Sequence, residues 1–543
     1  MRKLMFVFLM MVSVSGFAQR FDVPASHPKL VVGIVIDGLP YDLVYKNRDM
    51  LQEHGFKKLI NQGAYCSNAN YEYLFTQRAP GYASLVTGSE PSWHGVVADY
   101  WFETLSEGSI HAVQNSEYDP VGTLNRDNAC SPDQLMASTF SDAVKMYFQN
   151  QSKVYSVSLD ATAAVMNGGF KADAAYWLDE NSGKFVSSSY YLEELPKWVK
   201  KFNKNDYTSV YFDRKWEPLD SLKFYKRTIP DSNRFEYGYD AEFKTFPYLY
   251  EDIKGHYTGD KFIKMIPEGN TMTTDFAVAT FFNENLGDDL TPDVLMVNYH
   301  VSENIGKYFG PDSKEMLDML LRLDKEVAHL VDVIEDETGK NNTLFFLTSS
   351  SGLGSNPEYR ESEKLPGGRF KHHYVTALLK SYLNVLYGEG EWIRDYQNQQ
   401  IFLNRTLIED ADLKLADVQK KVADFILSYD GVAAVLTADD LVSTDYTSGI
   451  FKNMQNSFHQ KRSGDVLIAL KPGWIRDVYY TADHNSCYTY DTHVPLMFYG
   501  WKVRKTRVSR PVNITDVVPS ICDMMNIPPP GSVSGIPIEE ISR

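Results

Sequence analysis

The chain has 543 residues, of which 43% are hydrophobic and 23% charged, and its formal net charge is -17. This length suits one large α/β domain with a smaller insertion, or several domains, and the ordinary globular composition argues against long disordered regions. The acidic balance, without any long basic run, excludes nucleic acid and an anionic membrane surface as expected partners.

Residues 1–18 have the pattern of a cleavable signal peptide. Arg2 and Lys3 precede an apolar run over residues 4–14, and Gly16 and Ala18 supply small residues before a cut at residue 19. No cysteine stands at that cut, so a lipid anchor is not expected. No later segment reaches the ~20 apolar residues that a membrane helix needs. We therefore predict a periplasmic or secreted protein without a transmembrane segment.

Several short apolar runs, rich in β-branched and aromatic residues, predict buried parallel strands. They are residues 30–36, 154–159, 294–299, 344–347 and 496–499. Helical patterns lie between these runs. Ser131, Pro132 and Gln134 form a helix-start signature that predicts a helix over residues 135–148, and apolar residues recur with helical spacing over 313–335.

This alternation of strands and helices predicts an α/β fold, a three-layer sandwich with a mostly parallel central sheet. Two stretches interrupt the alternation. Residues 173–264 are aromatic-rich and irregular, and we predict a capping insertion there. Residues 370–475 are typical of a compact α+β insertion, with a helix at 418–427. Residues 19–369 and 476–543 would then form the core.

Four cysteines remain, at positions that match no zinc motif. In an oxidising compartment they would allow two disulfides, with three alternative pairings, whereas isolated buried thiols are an equally good interpretation. The four are Cys66, Cys130, Cys487 and Cys522.

Three sequence strings carry a family resemblance. They are residues 31–37 (VVGIVID), 79–95 (APGYASLVTGSEPSWHG) and 490–495 (YDTHVP), supported by 512–516 and 534–537 near the end of the chain. Together they resemble the alkaline phosphatase superfamily, in particular its type I phosphodiesterase/nucleotide pyrophosphatase branch. The chain looks most similar to the secreted alkaline phosphatases of Bacteroidetes, from about Leu30 to the C-terminus.

The resemblance implies two zinc ions, about 4 Å apart, that clamp the attacking and leaving oxygens of an in-line displacement. Such a site needs carboxylate and imidazole ligands and a Thr or Ser nucleophile. Asp37 and His493 match two of the family's ligands, and Glu303 is a conservative replacement for a third.

The other positions of the family pattern hold different residue types. The nucleophile position, counted back from Thr87, holds Arg78, and a histidine ligand is replaced by Lys307. Further positions differ as well: the family's Asp-His pair is Ser350-Ser351, its phosphate-binding Lys-x-Arg pair is Asp160-Ala161-Thr162, and its asparagine is Asp99.

These replacements predict a site without metal. Arg78 stays protonated and cannot attack phosphorus, Lys307 adds a second cation, and neutral serines are poor zinc ligands. We therefore expect no cofactor, with zinc present only if the family's site is retained against this expectation. Asp37 and Glu303 would instead pair with Arg78 and Lys307, which leaves no buried charge alone.

Three functions follow as alternatives. The preferred one is an inactive pseudo-phosphatase that acts as a binding or structural component of the cell envelope, through an envelope protein as partner. The second is a divergent phosphate mono- or diester hydrolase, in which Asp37, Glu303, Asp491 and His493 supply acid and base groups. The third is a phosphate or sulfate sensor that uses Arg78 and Lys307.

Overall fold

The structure, a computed structural model, describes residues 26–104, 107–240 and 242–542. The predicted signal peptide lies outside these ranges. Among the described residues, no helix combines the length and the apolar character needed to cross a membrane.

The secondary structure of the described residues alternates between strands and helices over most of the chain. The strands are β1 (Leu30–Ile36), β2 (Ala64–Asn70), β3 (Tyr100–Glu103), β4 (Gly108–His111), β5 (Pro120–Val121), β6 (Val154–Val157), β7 (Ala174–Asp179), β8 (Lys184–Ser188), β9 (Lys215–Trp216), β10 (Tyr248–Leu249), β11 (Asp293–Tyr299), β12 (Thr343–Ser349), β13 (Gly368–Phe370), β14 (Ile393–Gln397), β15 (Gln400–Leu403), β16 (Val432–Thr437), β17 (Val466–Leu470), β18 (Trp474–Arg476), β19 (His493–Gly500), β20 (Thr506–Val508) and β21 (Val512–Asn513). The helices are α1 (Tyr41–Lys46), α2 (Phe56–Gln62), α3 (Arg78–Thr87), α4 (Pro91–His94), α5 (Phe140–Tyr147), α6 (Ala161–Gly168), α7 (Lys197–Phe202), α8 (Tyr207–Phe212), α9 (Tyr250–Lys254), α10 (Glu268–Asn283), α11 (Val301–Phe309), α12 (Lys314–Thr338), α13 (Pro357–Ser362), α14 (His372–Tyr387), α15 (Arg405–Asp410), α16 (Leu415–Leu427), α17 (Ala438–Ser443), α18 (Gly449–Asn456), α19 (Thr489–Thr492) and α20 (Val517–Met525).

An eleven-stranded sheet forms the centre of the fold. Its strand order is β20-β2-β19-β12-β1-β11-β6-β7-β8-β5, with β21 beside β2. All seven residues of β1 are buried, and they alternate between two hydrophobic cores, with Val32 in one and Val31 in the other. Helices α10 and α12 cover the first core, and α3, α6 and α20 cover the second. The predicted three-layer α/β sandwich with a mostly parallel sheet is confirmed.

The register of the three central strands determines where the polar residues meet. β1 runs parallel to β11 and to β12, and Ile36 is level with both Tyr299 and Ser349. The three strands therefore end together, and the residues that follow them emerge at one edge of the sheet.

Two details of the predicted elements are wrong. β19 covers the predicted run 496–499, but it pairs antiparallel with β12 and with β2. The helix predicted over 135–148 begins only at Phe140, because Thr139 and Asp142 form a capping box there. The earlier signature at Ser131 forms a turn in which its hydroxyl donates to Asp133.

The two interruptions of the alternation have different structures. Residues 174–188 of the predicted cap are β7 and β8 of the central sheet, and Trp177, Tyr211 and Trp216 are buried in the cores. Within 370–475, strands β14, β15, β17 and β16 form a separate four-stranded sheet with its own hydrophobic core. Strands β13 and β18 pair where this segment leaves and rejoins the remainder of the chain.

All four cysteines are free thiols. Cys66, Cys130 and Cys522 are buried, and Cys487 is half-buried. The structure therefore favours isolated thiols over the alternative of two disulfides.

Candidate functional site

The first part of the site is centred on Asp37, directly after β1. Its fully buried carboxylate accepts hydrogen bonds from Tyr82 at 2.6 Å, from Asn298 at 2.8 Å and from Ser350 at 3.0 Å. The Nδ1 atom of His300 lies 2.9 Å from its Oδ2 atom. Asp37 is thus satisfied by three neutral donors and one imidazole, which corrects the prediction that it pairs with Arg78 or Lys307.

The second part is centred on Glu303, in the first turn of α11. Lys307 lies one helical turn later, and its ammonium is 2.5 Å from the Glu303 carboxylate. The Nε2 atom of His484 is 2.8 Å from the same oxygen, and the Arg78 guanidinium is 3.8 Å away. The predicted pairing of Glu303 with both cations is confirmed.

Arg78 connects the site to two further carboxylates. It is the first residue of α3, and its guanidinium lies 3.1 Å from Asp160 and 3.4 Å from Asp99. Asp99 also accepts the backbone N–H of Ala79 at 2.8 Å. The carboxylate of Asp99 therefore offsets the unfavourable position of the Arg78 cation at the N-terminus of α3.

In the sequence, Asp160 had no predicted role beyond replacing a basic residue. The structure shows that it is the N-cap of α6, where its side chain accepts from the backbone N–H of Ala163. That cap holds its carboxylate beside Arg78. Two departures from the family pattern could have predicted this pair. Arg78 places a cation where the pattern has a hydroxyl, and Asp160 places a carboxylate where the pattern has a basic residue.

The electrostatics of these groups are dominated by burial and by their mutual contacts. Burial opposes the charged form of Glu303, but the neighbouring His484 and Lys307 hold the pKa of its carboxyl well below the usual range. Burial likewise opposes the charge of Lys307 and of His484, yet Glu303 raises the pKa of both. For Arg78, the carboxylates of Asp160 and Asp99 outweigh burial and raise its pKa further. The site is a network of charges that neutralise one another.

His493 lies apart from this network. Its ring stacks on Tyr41 at 4.1 Å, and its Nε2 atom lies 3.1 Å from the carbonyl oxygen of Ser67. None of its described contacts involves Asp37 or Glu303. The histidine that does reach Glu303 is His484, so the assignment of His493 to the site is corrected. Sequence reasoning favoured His493 because it lies in the YDTHVP string that carries the family resemblance.

Ser350 and Ser351 follow β12, as predicted, but they have different surroundings. Ser350 donates to Asp37, whereas the carbonyl oxygen of Ser351 accepts a hydrogen bond from Ser349 at 2.7 Å. The hydroxyl of Ser351 is buried and has no hydrogen-bond partner among the described residues.

Two hydroxyls lie close to Arg78 in the sequence, those of Thr76 and Ser84, and neither is activated as a nucleophile. Ser84 lies 3.0 Å from the Nε2 atom of His94, but the Nδ1 atom of that histidine accepts the backbone N–H of Val96 at 3.1 Å. Because burial lowers the pKa of His94 to about 3, the imidazole is neutral and its proton is on Nε2. His94 therefore donates to Ser84 and cannot serve as its base. Thr76 donates to the carbonyl oxygen of Ser486 at 3.0 Å.

The insertion contributes to this region through a tight turn that the sequence did not reveal. Asn398 and Gln399 join β14 to β15 with positive φ angles of 52° and 60°, as a two-residue hairpin turn requires. Gln77, which precedes Arg78, donates to Asn398 at 2.9 Å, and Asn485, which follows His484, donates to Gln399 at 2.8 Å. The turn is therefore hydrogen-bonded both to the residue before Arg78 and to the residue after His484.

The described residues contain no group of three or more His, Cys, Asp or Glu side chains arranged to hold a metal ion. The Oε1 atom of Glu303 is in contact with Lys307 and His484, whereas its Oε2 atom is buried without a hydrogen-bond partner among the described residues. The donor set around Asp37 consists of neutral hydroxyl and amide groups and a single imidazole.

Comparisons with known proteins identify the family. The profile of the family described as type I phosphodiesterase / nucleotide pyrophosphatase matches residues 31–494. Alkaline phosphatase PafA of Elizabethkingia meningoseptica is 31% identical over 95% of this chain and 94% of its own. A protein of Myroides odoratus named calcium-transporting ATPase is 31% identical over 97% of this chain and 96% of its own.

The fold agrees with this assignment. The crystal structure of wild-type PafA superposes with a TM-score of 0.91 at 30% sequence identity, over 95% of this chain and 99% of PafA. The overall α/β fold is therefore shared over nearly the whole length of both chains. The chain belongs to the type I phosphodiesterase/nucleotide pyrophosphatase family of the alkaline phosphatase superfamily.

Proposed function

We propose that this chain is an exported pseudo-phosphatase, which retains the alkaline phosphatase fold but does not hydrolyse phosphate esters with two zinc ions. Its role would be to bind another component of the cell envelope. The signal-peptide pattern of residues 1–18 supports export. PafA is named as an alkaline phosphatase, so this proposal concerns what this chain has changed rather than what the family does.

One observation carries the proposal: Arg78, at the position that the family resemblance assigns to the nucleophile, contacts three carboxylates at 3.1, 3.4 and 3.8 Å. A guanidinium cannot form a phosphoryl intermediate, and its charge opposes the binding of a dication. Lys307, 2.5 Å from Glu303, places a second cation on the other carboxylate. The residues present therefore do not fit the pair of zinc ions that the family resemblance implies.

The alternative of a phosphate or sulfate sensor has less support. Arg78 and Lys307 would have to grip the anion, yet each already contacts buried or half-buried carboxylates. An incoming phosphate would meet Asp99, Asp160 and Glu303 as well as the cations, and like charges repel at these distances.

A divergent hydrolase remains the rival, and one observation favours it. Burial raises the pKa of Asp491 to about 7, where a carboxyl can donate or accept a proton near neutral pH. Ser486 donates to this carboxyl at 2.5 Å. If the protein turns over phosphate esters, we expect Asp491→Asn to abolish that activity and His493→Ala to leave it.

The proposal is tested by restoring the residues that the family pattern implies. A variant with Arg78→Thr, Lys307→His, Ser350→Asp and Ser351→His should bind zinc in stoichiometric amount and hydrolyse p-nitrophenyl phosphate. A matched control carries the last three changes but keeps Arg78, and we expect it to remain inactive. Turnover by the unmodified protein would contradict the proposal, as would a folded four-residue variant that binds no zinc.

A further inference from the structure

The edge of the central sheet that lies opposite the site gathers the ends of five strands. β1 and β12 begin together, at Leu30 and Thr343. β2 and β20 also begin together, at Ala64 and Thr506. The antiparallel strand β19 lies between these two pairs and ends at Gly500, beside the starts of β12 and β2. Residues before β1 and β12, and those between β19 and β20, therefore meet at this edge.

Six cations lie along this edge, and we call them the basic edge. Two precede β1 and β12, three lie between β19 and β20, and one belongs to β20: Lys29, Lys340, Lys502, Arg504, Lys505 and Arg507. Lys340, Arg504, Lys505 and Arg507 are exposed. Within the part of the chain that the structure describes, none of the six forms an ion pair with a carboxylate.

Contacts at the end of α2 join the two halves of the basic edge. The ammonium of Lys340 donates to the side chain of Gln62 at 3.1 Å. The carbonyl oxygen of the next residue, Gly63, accepts the backbone N–H of Thr506 at 3.2 Å. Four strand spacings separate β1 from β20, so the cations are spread over about 20 Å of surface.

The basic edge differs in charge from the rest of the chain, whose net charge is -17. Residues 492–515 contain five Lys and Arg and no Asp or Glu. Three exposed carboxylates border the edge: Asp336, Glu337 and Glu539. The carboxylate of Glu540 is already paired with Arg510 at 2.8 Å. Cations therefore outnumber carboxylates here, and at 0.1 M salt, where the Debye length is about 10 Å, the more distant acidic surface is largely screened.

The N-terminal segment of the chain enters the fold at the same edge. Ser26 is the first described residue, and its carbonyl oxygen accepts a hydrogen bond from the ammonium of Lys502 at 3.3 Å. The backbone N–H of Lys29 donates to the carbonyl oxygen of Asn342 at 2.7 Å, close to Lys340 in the sequence. The predicted signal peptide, residues 1–18, would therefore bring the chain to a membrane with the basic edge nearest to the lipid.

We propose that the basic edge binds an anionic phospholipid surface. Lipid phosphates supply the negative charge, and exposed Lys and Arg side chains spread along an edge can reach several headgroups at once. The entry of the N-terminal segment at this edge favours a membrane over an acidic protein as the partner. The sequence argued against such a surface because its cations form no contiguous run, whereas the fold brings together three separate segments.

Cations on an edge strand also discourage pairing between chains, and that role alone predicts no binding to vesicles. The inference gives the proposed envelope role a partner surface and rests on export for its biological meaning. Its test measures neither metal nor hydrolysis, so the inference and the proposed function can fail separately.

The test uses residues 19–543, so that the apolar run of the signal peptide cannot bind lipid, and vesicles of equal parts phosphatidylcholine and phosphatidylglycerol. Co-sedimentation at about 0.1 M salt measures the apparent Kd. We expect the triple variant Arg504→Ala, Lys505→Ala, Arg507→Ala to bind at least tenfold more weakly, and pure phosphatidylcholine vesicles to bind no protein. The matched control removes three exposed cations from the insertion and should bind like the unmodified protein: Lys414→Ala, Lys420→Ala, Lys421→Ala.

Three results would overturn the inference. They are the absence of binding to the anionic vesicles, equal binding by the edge variant and the control variant, and binding of polyglutamate without binding of vesicles, which would assign the edge to an acidic protein. Melting temperatures show whether each variant is folded. The double variant Arg504→Ala, Lys505→Ala leaves β20 unchanged and keeps the test valid if the triple variant is unstable.

Discussion

The role of Arg78 in this structure is electrostatic. Its side chain is only 19% exposed and contacts Asp160, Asp99 and Glu303. The sequence predicted the cation and its pairing with Glu303, since both follow from the family pattern. It did not predict Asp160, because that contact depends on where the N-cap of α6 lies in space.

Removal of the Arg78 charge should destabilise the fold. Arg78→Ala leaves three carboxylates without their shared cation, and we expect a loss of about 3 kcal/mol in the free energy of unfolding. Arg126→Ala is a suitable control, because Arg126 is 57% exposed and its contacts with Asp119 and with the carbonyl oxygen of Ser116 lie at the surface, so its removal should cost less than about 1 kcal/mol. Urea unfolding followed by circular dichroism measures both. Equal stability of Arg78→Ala and the unmodified protein would show that the contacts carry no net energy.

The sequence also did not show which of two histidines, His484 or His493, contacts Glu303. His484 lies in the loop before β19 and His493 is the first residue of that strand, and only the folded backbone decides which of them reaches Glu303. The prediction chose His493 because it lies within the YDTHVP motif.

Asp491 gives a pH dependence whose sign can be derived. Burial raises its pKa to about 7, above the usual value of about 3.9, so the folded state holds the proton more tightly than the unfolded state. The stability that this proton confers is fully present below about pH 4 and is lost as the pH rises to about 7.

Asp491→Asn should therefore reduce the decrease in the free energy of unfolding between pH 5 and pH 7, by about 2 kcal/mol. Urea unfolding at pH 5, 6 and 7 measures this, with the exposed Asp410→Asn as a control. Identical pH profiles for Asp491→Asn and the unmodified protein would refute the assignment.

At the scale of elements, strand positions were predicted better than strand directions. The runs 30–36 and 294–299 coincide with β1 and β11 within one residue, because buried strands are continuous apolar segments. β19 is equally apolar, and a buried run contains no signal for its direction, so its antiparallel pairing was missed. The start of α5 was missed because two capping signals lie eight residues apart, at Ser131 and Thr139, and only the second caps a helix.

The approach of α3 to the end of β12 brings Arg78 into the site, and it depends on Gly81. A Cβ atom at this position would lie 2.2 Å from the carbonyl oxygen of Ser350, which belongs to the backbone and cannot rotate away. Gly-to-Ala changes within helices usually stabilise by about 1 kcal/mol.

Gly81→Ala should instead destabilise the protein by about 1–3 kcal/mol, because α3 would be forced away from the sheet. The control is Gly255→Ala at the end of α9, where no atom lies within 4 Å of the added Cβ atom and the expected change is close to zero. Thermal unfolding of both variants measures the difference, and a stabilised Gly81→Ala protein would contradict the packing described here.

At the scale of the whole molecule, the insertion is held against the core by polar contacts and by a hydrophobic cluster that includes Leu74 and Phe75 of the core. Arg462 lies over the ring of Trp101 at 4.9 Å and donates to the carbonyl oxygens of Gly95 and Gln134. The sequence predicted the position of an α+β segment at 370–475 from its local patterns. Its contacts with the core were not predictable, since they join residues that are hundreds of positions apart.

The four free thiols predict that the fold does not depend on disulfides. Reaction with Ellman's reagent in denaturant should give four thiols per chain, and a reductant should leave the melting temperature unchanged, since no cross-link restrains the unfolded state. A drop of several degrees in reductant, or fewer than four thiols, would show that disulfides form in the mature protein.

The central claim is that the family's two-metal site no longer holds metal. It is tested most directly by elemental mass spectrometry on protein purified without chelator, together with a phosphate-ester assay on the same sample. We predict less than stoichiometric metal and no turnover, because Arg78 and Lys307 already supply positive charge to Glu303, which the family resemblance makes a zinc ligand. Two bound zinc ions with measurable turnover would contradict the account.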